Sequence, residues 1–223
     1  MKLYLLDHCP FCARVRVILG LKDLPFELHY IQQDDSETPT KMTGNDLMPI
    51  LEYAPHQYMV ESLDIVKYLD EEIGESILLP EQDPRIANWI NNSDDIFDRL
   101  TTPLYYQMDL PELASLEARE AYRAIHEPRV DDFNQLHKEA TRLMQEGHNA
   151  LLKLETIIDL DRVKRQTFAL DDILLYPMLR HITAIKGIEL PSKVAKYIEI
   201  MEKASKLPSY QSKAIDPFAP VPR

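Results

Sequence analysis

The feature that most constrains this chain is a change of hydrophobic rhythm part-way along it. Up to about residue 75 the apolar residues come in short runs broken by turn formers. Beyond about residue 84 they recur every three or four positions almost without interruption. Short alternating runs suit strands and three-to-four spacing suits amphipathic helices, so a mixed α/β unit is expected to be followed by an all-helical one. Residues 1–75 form the first, 85–223 the second, and 76–84 a connector holding Pro80 and Pro84 among polar residues. A chain of 223 residues buries enough apolar surface for either unit to fold without disulfide or metal staples.

In the first unit, residues 2–6 read as a strand and Pro10 or its successor opens a helix that runs to Leu21, ended by Asp23 and Pro25. Residues 26–31 alternate like a half-buried strand and complete a right-handed strand–helix–strand unit with parallel strands. Pro39 to Gly44 suggests a short helix, 48–52 a strand, 58–60 its antiparallel partner, and Ser62 the cap of a helix reaching Ile73 and Gly74. In the second unit the spacing predicts helices over 85–106, 116–126, 130–158, 171–186 and 192–206. Trp89, Tyr105 and Tyr106 fall at helical spacing and read as core. Pro217, Pro220 and Pro222 keep the tail from being helical, so it drapes over the surface or frays.

The net charge of -12 argues against nucleic acid and anionic lipid as partners. The first 75 residues carry 14 acids and 6 bases, hence -8 of that total. No stretch is long enough to span a membrane and the opening residues are too few for a secretory leader, so a cytoplasmic protein is expected. In such a reducing compartment the only two cysteines, three positions apart, are not a staple.

A thiol attacks disulfides as its thiolate, and so needs a lowered pKa, access to substrate and a second thiol to resolve the mixed disulfide. Cys9-Pro10-Phe11-Cys12 offers all three. At the start of a helix the free amides and the macrodipole favour an anion on Cys9, while Cys12 lies one turn inward. Cys9 is therefore the expected nucleophile and Cys12 the resolver. Arg16 is a cation near enough to help; otherwise Arg14 and Arg16 read as solvated charges. Two other readings stand beside this one. The pair could be half of a zinc site completed by His8, His29 or His56, although a second paired knuckle is missing. It could also be inert packing, although a proline between the cysteines has no packing purpose there.

The run Asp7-His8-Cys9-Pro10-Phe11-Cys12 resembles the active-site turn of glutaredoxins, whose motif is Cys-Pro-aromatic-Cys. Met48-Pro49-Ile50-Leu51 is similar to the segment in which thioredoxin-fold proteins hold a cis-proline facing the reactive sulfur. Glu61-Ser62-Leu63-Asp64-Ile65 is similar to the motif opening the third helix of glutathione transferases. Phe168 to Ile173 is similar to their core-helix capping segment, with Ala169 where a hydroxyl residue usually stands; the helix start is then either less stable by about 1 kcal/mol or capped by Thr167 or Asp171 in a shifted frame. Together these resemble the bacterial glutaredoxin 2 type over essentially the whole chain.

The resemblance implies a thioredoxin-like domain followed by a helical bundle, in a glutathione-transferase-like architecture. It implies a monomeric, glutathione-dependent oxidoreductase that reduces protein–glutathione mixed disulfides and protein disulfides, with glutathione as cosubstrate and no permanently bound cofactor or metal. The reduction potential implied is about -200 to -230 mV. At the site it implies that Cys9 exchanges with glutathione, that Met48, ahead of a cis Pro49, pairs with the cysteinyl backbone, and that Ser62 takes the γ-glutamyl carboxylate with Glu61 near its ammonium. The competing functions are a glutathione transferase or dehydroascorbate reductase, for which Tyr4 is the one candidate hydroxyl near the first strand, and a non-catalytic scaffold.

Overall fold

The computed structural model describes residues 1–80 and 82–222; residue 81 of the connector and residue 223 of the helical unit lie outside the described residues. Strand β1 (Lys2–Leu5) buries Leu3 and Leu5 and turns Lys2 and Tyr4 to the opposite face, as its alternation requires. Helix α1 (Pro10–Leu21) follows a tight turn, and β2 (Glu27–Tyr30) returns parallel to β1 with Leu28 opposite Leu3. Helix α2 (Glu37–Thr43) ends on Gly44, whose φ of 82° is the left-handed conformation glycine adopts without a Cβ penalty. Strand β3 (Ile50–Ala54) runs antiparallel to β1 with Leu51 opposite Leu3, and β4 (Gln57–Met59) runs antiparallel to β3. The sheet order is β2-β1-β3-β4, and α3 (Ser62–Glu71) packs against α1. This is the thioredoxin-like unit expected.

The helical unit comprises α4 (Pro84–Tyr105), α5 (Leu116–Val130), α6 (Phe133–Glu155), α7 (Leu160–Lys164), α8 (Leu170–Ile182) and α9 (Ser192–Ser205). Together the two units form the glutathione-transferase-like fold. Helices α8 and α9 of the second unit pack on α1 as α3 of the first does, which explains why α1 is apolar almost all round. At the crossing, a Cβ on Gly20 would lie 1.6 Å from the Ser205 carbonyl oxygen, so only glycine lets α1 and α9 approach this closely. Helices α4 and α6 pack along their length, and the buried Trp89 indole N–H donates to the Ala150 carbonyl at 2.7 Å.

Several boundaries differ from the sequence reading, each for a local reason. The helix expected over 130–158 is cut at Asp131, whose φ is 110°, and restarts after Asp132, which accepts the Gln135 N–H at 2.8 Å. The short helix α7 went unread; Asp159 caps it by accepting the Arg162 N–H. The connector is tied down, because Leu78–Leu79 (β5) pairs in parallel with Phe168–Ala169 (β6) and the Asp83 N–H reaches Asp171 at 2.7 Å. That contact occupies Asp171, so no shifted cap forms and Ala169 keeps the N-cap position. Asp172 supplies the surviving half of a capping box by accepting the Ala169 N–H at 2.8 Å. The proline-rich tail drapes: Val221 is buried beside Tyr106 and Phe133 in a second core, and Arg123 holds the Pro222 carbonyl.

Candidate active site

Residues 6–9 form the turn between β1 and α1, closed by the Cys9 N–H on the Leu6 carbonyl at 3.3 Å. Cys9 is the N-cap of α1 and Pro10 its first helical residue. The Cys9 sulfur, half-buried, accepts the Cys12 N–H at 3.4 Å, whereas Cys12 is completely buried. A hydrogen bond from the Cys12 thiol leads in lowering the Cys9 pKa to about 7; burial opposes the shift, and the Cys12 amide, the charge of His8 and the Phe11 amide assist it. Burial, with the neighbouring Cys9 sulfur, pushes Cys12 well above the ordinary thiol value. The two thiols are thus unequal: one ionises near neutrality and the other holds its proton.

Cys9 lines an interdomain cavity of about 230 Å³, with His8 from its own turn, Asp98, Thr102 and Tyr105 from α4, and Tyr122, His126 and Arg129 from α5. A second depression, a groove of about 340 Å³ on the N-terminal unit, shares Phe11 with that cavity and is lined by Arg14, Leu47, Met48, Glu61, Ser62, Leu63 and Asp64. The Met48–Pro49 bond is cis. Glu61 has φ 67°, a conformation that non-glycine residues seldom take and that is concentrated at ligand sites.

Residues 85–214 match the family model for the C-terminal domain of glutaredoxin 2, and residues 3–76 match that for the glutathione S-transferase N-terminal domain. Glutaredoxin 2 of Escherichia coli K12 is 35% identical over 215 residues, which are 96% of this chain and 100% of that protein. The chain belongs to the glutaredoxin 2 family. A crystal structure of glutaredoxin 2 from Salmonella typhimurium in complex with glutathione matches with a TM-score of 0.92 at 34% identity, covering 96% of this chain and 98% of the other. Dehydroascorbate reductase of Chlamydomonas reinhardtii matches at 0.53 and 19% identity over 95% of this chain and 90% of its own, a likeness of fold alone.

The structure brings Met48, Glu61 and Ser62 into one groove, with Pro49, next to Met48, buried. Ser62 is the first helical residue of α3 and not its cap; Glu61 holds the cap position without a side-chain hydrogen bond. The two arginines are not solvated charges. Arg14 stacks on Phe11 at 4.7 Å and its NH1 donates to Ser62 Oγ at 3.4 Å, while its buried Nε has no partner. Arg16 is buried against Asp7 and is not the cation that assists Cys9. Of the zinc ligands considered, His29 stacks on Tyr4 and His56 sits in the β3–β4 turn, so neither joins the cysteine pair. Tyr4 donates to Glu52 at 3.0 Å, and burial with that bond raises its pKa to about 12. Sequence reasoning missed Glu112, whose fully buried carboxylate reaches His8, and the cavity wall made by Tyr105, Tyr122, His126 and His181. Their positions follow from tertiary packing, and no local motif marks them.

Proposed function

We propose that Cys9 is the nucleophile and Cys12 the resolving thiol of this enzyme, and that glutathione lies in the groove lined by Met48, Glu61 and Ser62. The chain is a glutathione-dependent disulfide oxidoreductase, the activity of its family, with glutathione as cosubstrate. The observation that carries the residue assignment is the inequality of the two thiols: only Cys9 is both reachable and lowered to about 7. The Met48 backbone pairs with the cysteinyl moiety of glutathione, Pro49 orients it, and Ser62 and the free amides of α3 take the γ-glutamyl carboxylate with Glu61 near its ammonium. The unpartnered Arg14 Nε beside Ser62 supports an anion at that end of the groove.

In the reaction, the Cys9 thiolate attacks a disulfide sulfur, and Cys12 or glutathione then releases the mixed disulfide. Glutathionylated and disulfide-containing proteins are the proposed substrates, and the working unit is a cytoplasmic monomer organised as 1–75, 76–84 and 85–223. No helix among the described residues is long and apolar enough to cross a membrane. A transferase or dehydroascorbate reductase reading is less supported, because Tyr4 is committed to Glu52 and its raised pKa disfavours phenolate activation of glutathione.

Turnover of a glutathionylated peptide separates the roles. Cys9→Ser is expected to abolish it, and Cys12→Ser is expected to retain it while losing reduction of intramolecular protein disulfides. Full activity in the Cys9 variant overturns the assignment.

A further inference from the structure

The turn at residues 6–9 sends two consecutive side chains into the helical unit, and His8 meets an arrangement that the thiol chemistry above leaves unused. Glu112, delivered by the 3₁₀ turn Pro111–Leu113, places one carboxylate oxygen, Oε1, 2.7 Å from His8 Nδ1 and 2.9 Å from the His8 backbone N–H. Both bonds run between residues 104 positions apart and are buried, with Glu112 wholly inaccessible. The second oxygen, Oε2, is also buried and has no partner. A carboxylate sealed from water and half-bonded is compensated by a proton-bearing ring against it, and the bond assigns a hydrogen to Nδ1. The other nitrogen, Nε2, then belongs to the cavity face: His8 lines the same 230 Å³ cavity as Cys9, and Nε2 makes no hydrogen bond among the described residues.

Two more imidazoles line that wall, and neither matches His8. Burial drives His126 and His181 each down to about 3, helped by neighbouring positive charge, so both are neutral at physiological pH. Neither touches a carboxylate among the described residues. Around the His8 ring stand Tyr105 of α4 at 5.8 Å and Tyr122 and His126 of α5 at 5.0 and 5.7 Å between centroids, with His181 of α8 near enough to feel its charge and Asp7 and Cys9 beside it in its own turn. The tyrosine hydroxyls are held un-ionised by burial, and Asp7 is engaged with Arg16 and Arg180. Asp98 of α4, its carboxyl pKa pushed up to about 6 by burial and the neighbouring Asp94, also lines the cavity, but His8 adjoins Cys9 in its own turn and is the ring there held by a carboxylate.

We propose that His8, held by Glu112, is the acid–base residue of the exchange reaction, with Glu112 a positioning residue supplied by the helical unit. This rests on the glutaredoxin reading and adds a proton path to it. The Cys9 thiolate attacks the glutathione sulfur of a mixed disulfide G–S–S–R. The S–S bond breaks, Cys9–S–S–G forms, and the departing R–S⁻ takes a proton from His8 Nε2 and leaves as R–SH. An incoming glutathione thiol gives its proton to Nε2, and its sulfur attacks the glutathionyl sulfur. Oxidised glutathione departs, and Cys9 is again a thiolate beside a reprotonated His8. Net, one G–S–S–R and one glutathione become R–SH and one oxidised glutathione.

A proton donor matters most when the leaving thiolate is strongly basic, and little when it is weakly basic. The test compares kcat/KM for two glutathione mixed disulfides, one releasing cysteamine and one releasing 5-thio-2-nitrobenzoate. His8→Asn keeps an amide donor for Glu112 but has no second ring nitrogen. It is expected to lose about 100-fold on the alkyl substrate and under about threefold on the aryl one. Glu112→Gln is expected to show the same selectivity with a smaller loss, which keeps the test sound if the histidine variant folds poorly. A change in Cys9 ionisation alone would lower both substrates together. Equal losses, or none, overturn the proton-transfer role while leaving the glutaredoxin reading intact; failure of the unmodified protein on both substrates removes that reading itself.

Discussion

Asp7 and His8 are neighbours in one turn, and each is met by a charged residue of the helical unit, yet the two seams are built to opposite plans. At Asp7 every oxygen is bonded: Arg180 donates to its carboxylate at 3.0 and 3.1 Å and to its carbonyl at 2.9 Å, Tyr210 Oη reaches the same carbonyl at 2.7 Å, and Arg16 completes the cluster. Arg180 spends its remaining donors on Tyr210 and the Pro208 carbonyl. One residue on, Glu112 leaves an oxygen unpaired behind the ring, and His8, with a free nitrogen, borders an open cavity containing the nucleophile. A saturated buried network has one arrangement and serves to join the units; an unsaturated one keeps the capacity to exchange protons. The difference between adjacent residues separates what fastens this molecule from what reacts in it.

The largest expected effect comes from opening the saturated seam. Removing one partner strands a buried charge, so Arg180→Met is expected to cost about 3–5 kcal/mol in urea unfolding. The selectivity between alkyl and aryl leaving groups should stay unchanged in whatever protein remains folded. A shift in that selectivity would mean the two seams are one network. The same seam has a pH signature. Burial acts to raise the Asp7 pKa, but Arg180 and Arg16 outweigh it and bring it down to about 2 from an ordinary 3.8. A depressed carboxyl contributes its full stability above the ordinary value and loses it as pH falls through the folded one. The stability gap between the natural protein and Asp7→Asn is therefore expected to shrink as pH falls from about 4 towards 2.

A second break acts on geometry alone. Gly20→Ala places a methyl 1.6 Å from the Ser205 carbonyl oxygen, which is backbone and cannot rotate away, so α1 and α9 must separate. The expected loss is about 3 kcal/mol or somewhat more, read from thermal or urea unfolding. Because α1 carries Cys9 at one end and Gly20 at the other, a rigid shift of the helix would also change thiol alkylation rates. An unchanged rate with lowered stability would show that the helix yields only at its C-terminal end.

These seams also mark where the sequence stopped being readable. The nucleophile, its resolver and the groove residues are visible because each belongs to a contiguous signal: Cys9 to Cys12, Met48-Pro49, Glu61-Ser62. Gly44 and Asp23 announce helix ends by their own conformational preferences, and the three-to-four spacing of the second half reports faces that must be buried. Arg16 shows the limit. One turn beyond Cys12 it looks like a partner for the thiolate, but Asp7, fastened to an arginine 173 positions away, holds it instead. Glu112 lies in an acidic, proline-bearing segment with no periodicity, indistinguishable in sequence from a solvated loop. Only the tertiary fold, which seals it against His8, gives that carboxylate a role. The break between α5 and α6 is displaced for a milder reason: the gap expected between 126 and 130 falls instead at Asp131 and Asp132, because α5 runs on to Val130 before the two aspartates impose the turn.

The smallest expected effect sharpens the comparison from the cavity side. Tyr105 is buried, its Oη has no well-formed partner, and the nearby Thr101 hydroxyl donates to the Phe97 carbonyl at 2.8 Å instead. An unpaired buried hydroxyl already carries its desolvation cost, so its removal should be nearly neutral or slightly stabilising. Tyr105→Phe keeps the ring against His8, His181 and Tyr210 while deleting that oxygen. Its stability is expected to lie within about 1 kcal/mol of the natural protein. In the saturated seam, Tyr210→Phe removes a hydroxyl that bonds both Asp7 and Arg180, so its cost should exceed that of Tyr105→Phe by at least about 1 kcal/mol. Equal costs for the two tyrosines would erase the distinction between the seams, because the same deletion would then be felt equally in the bonded network and beside the open cavity.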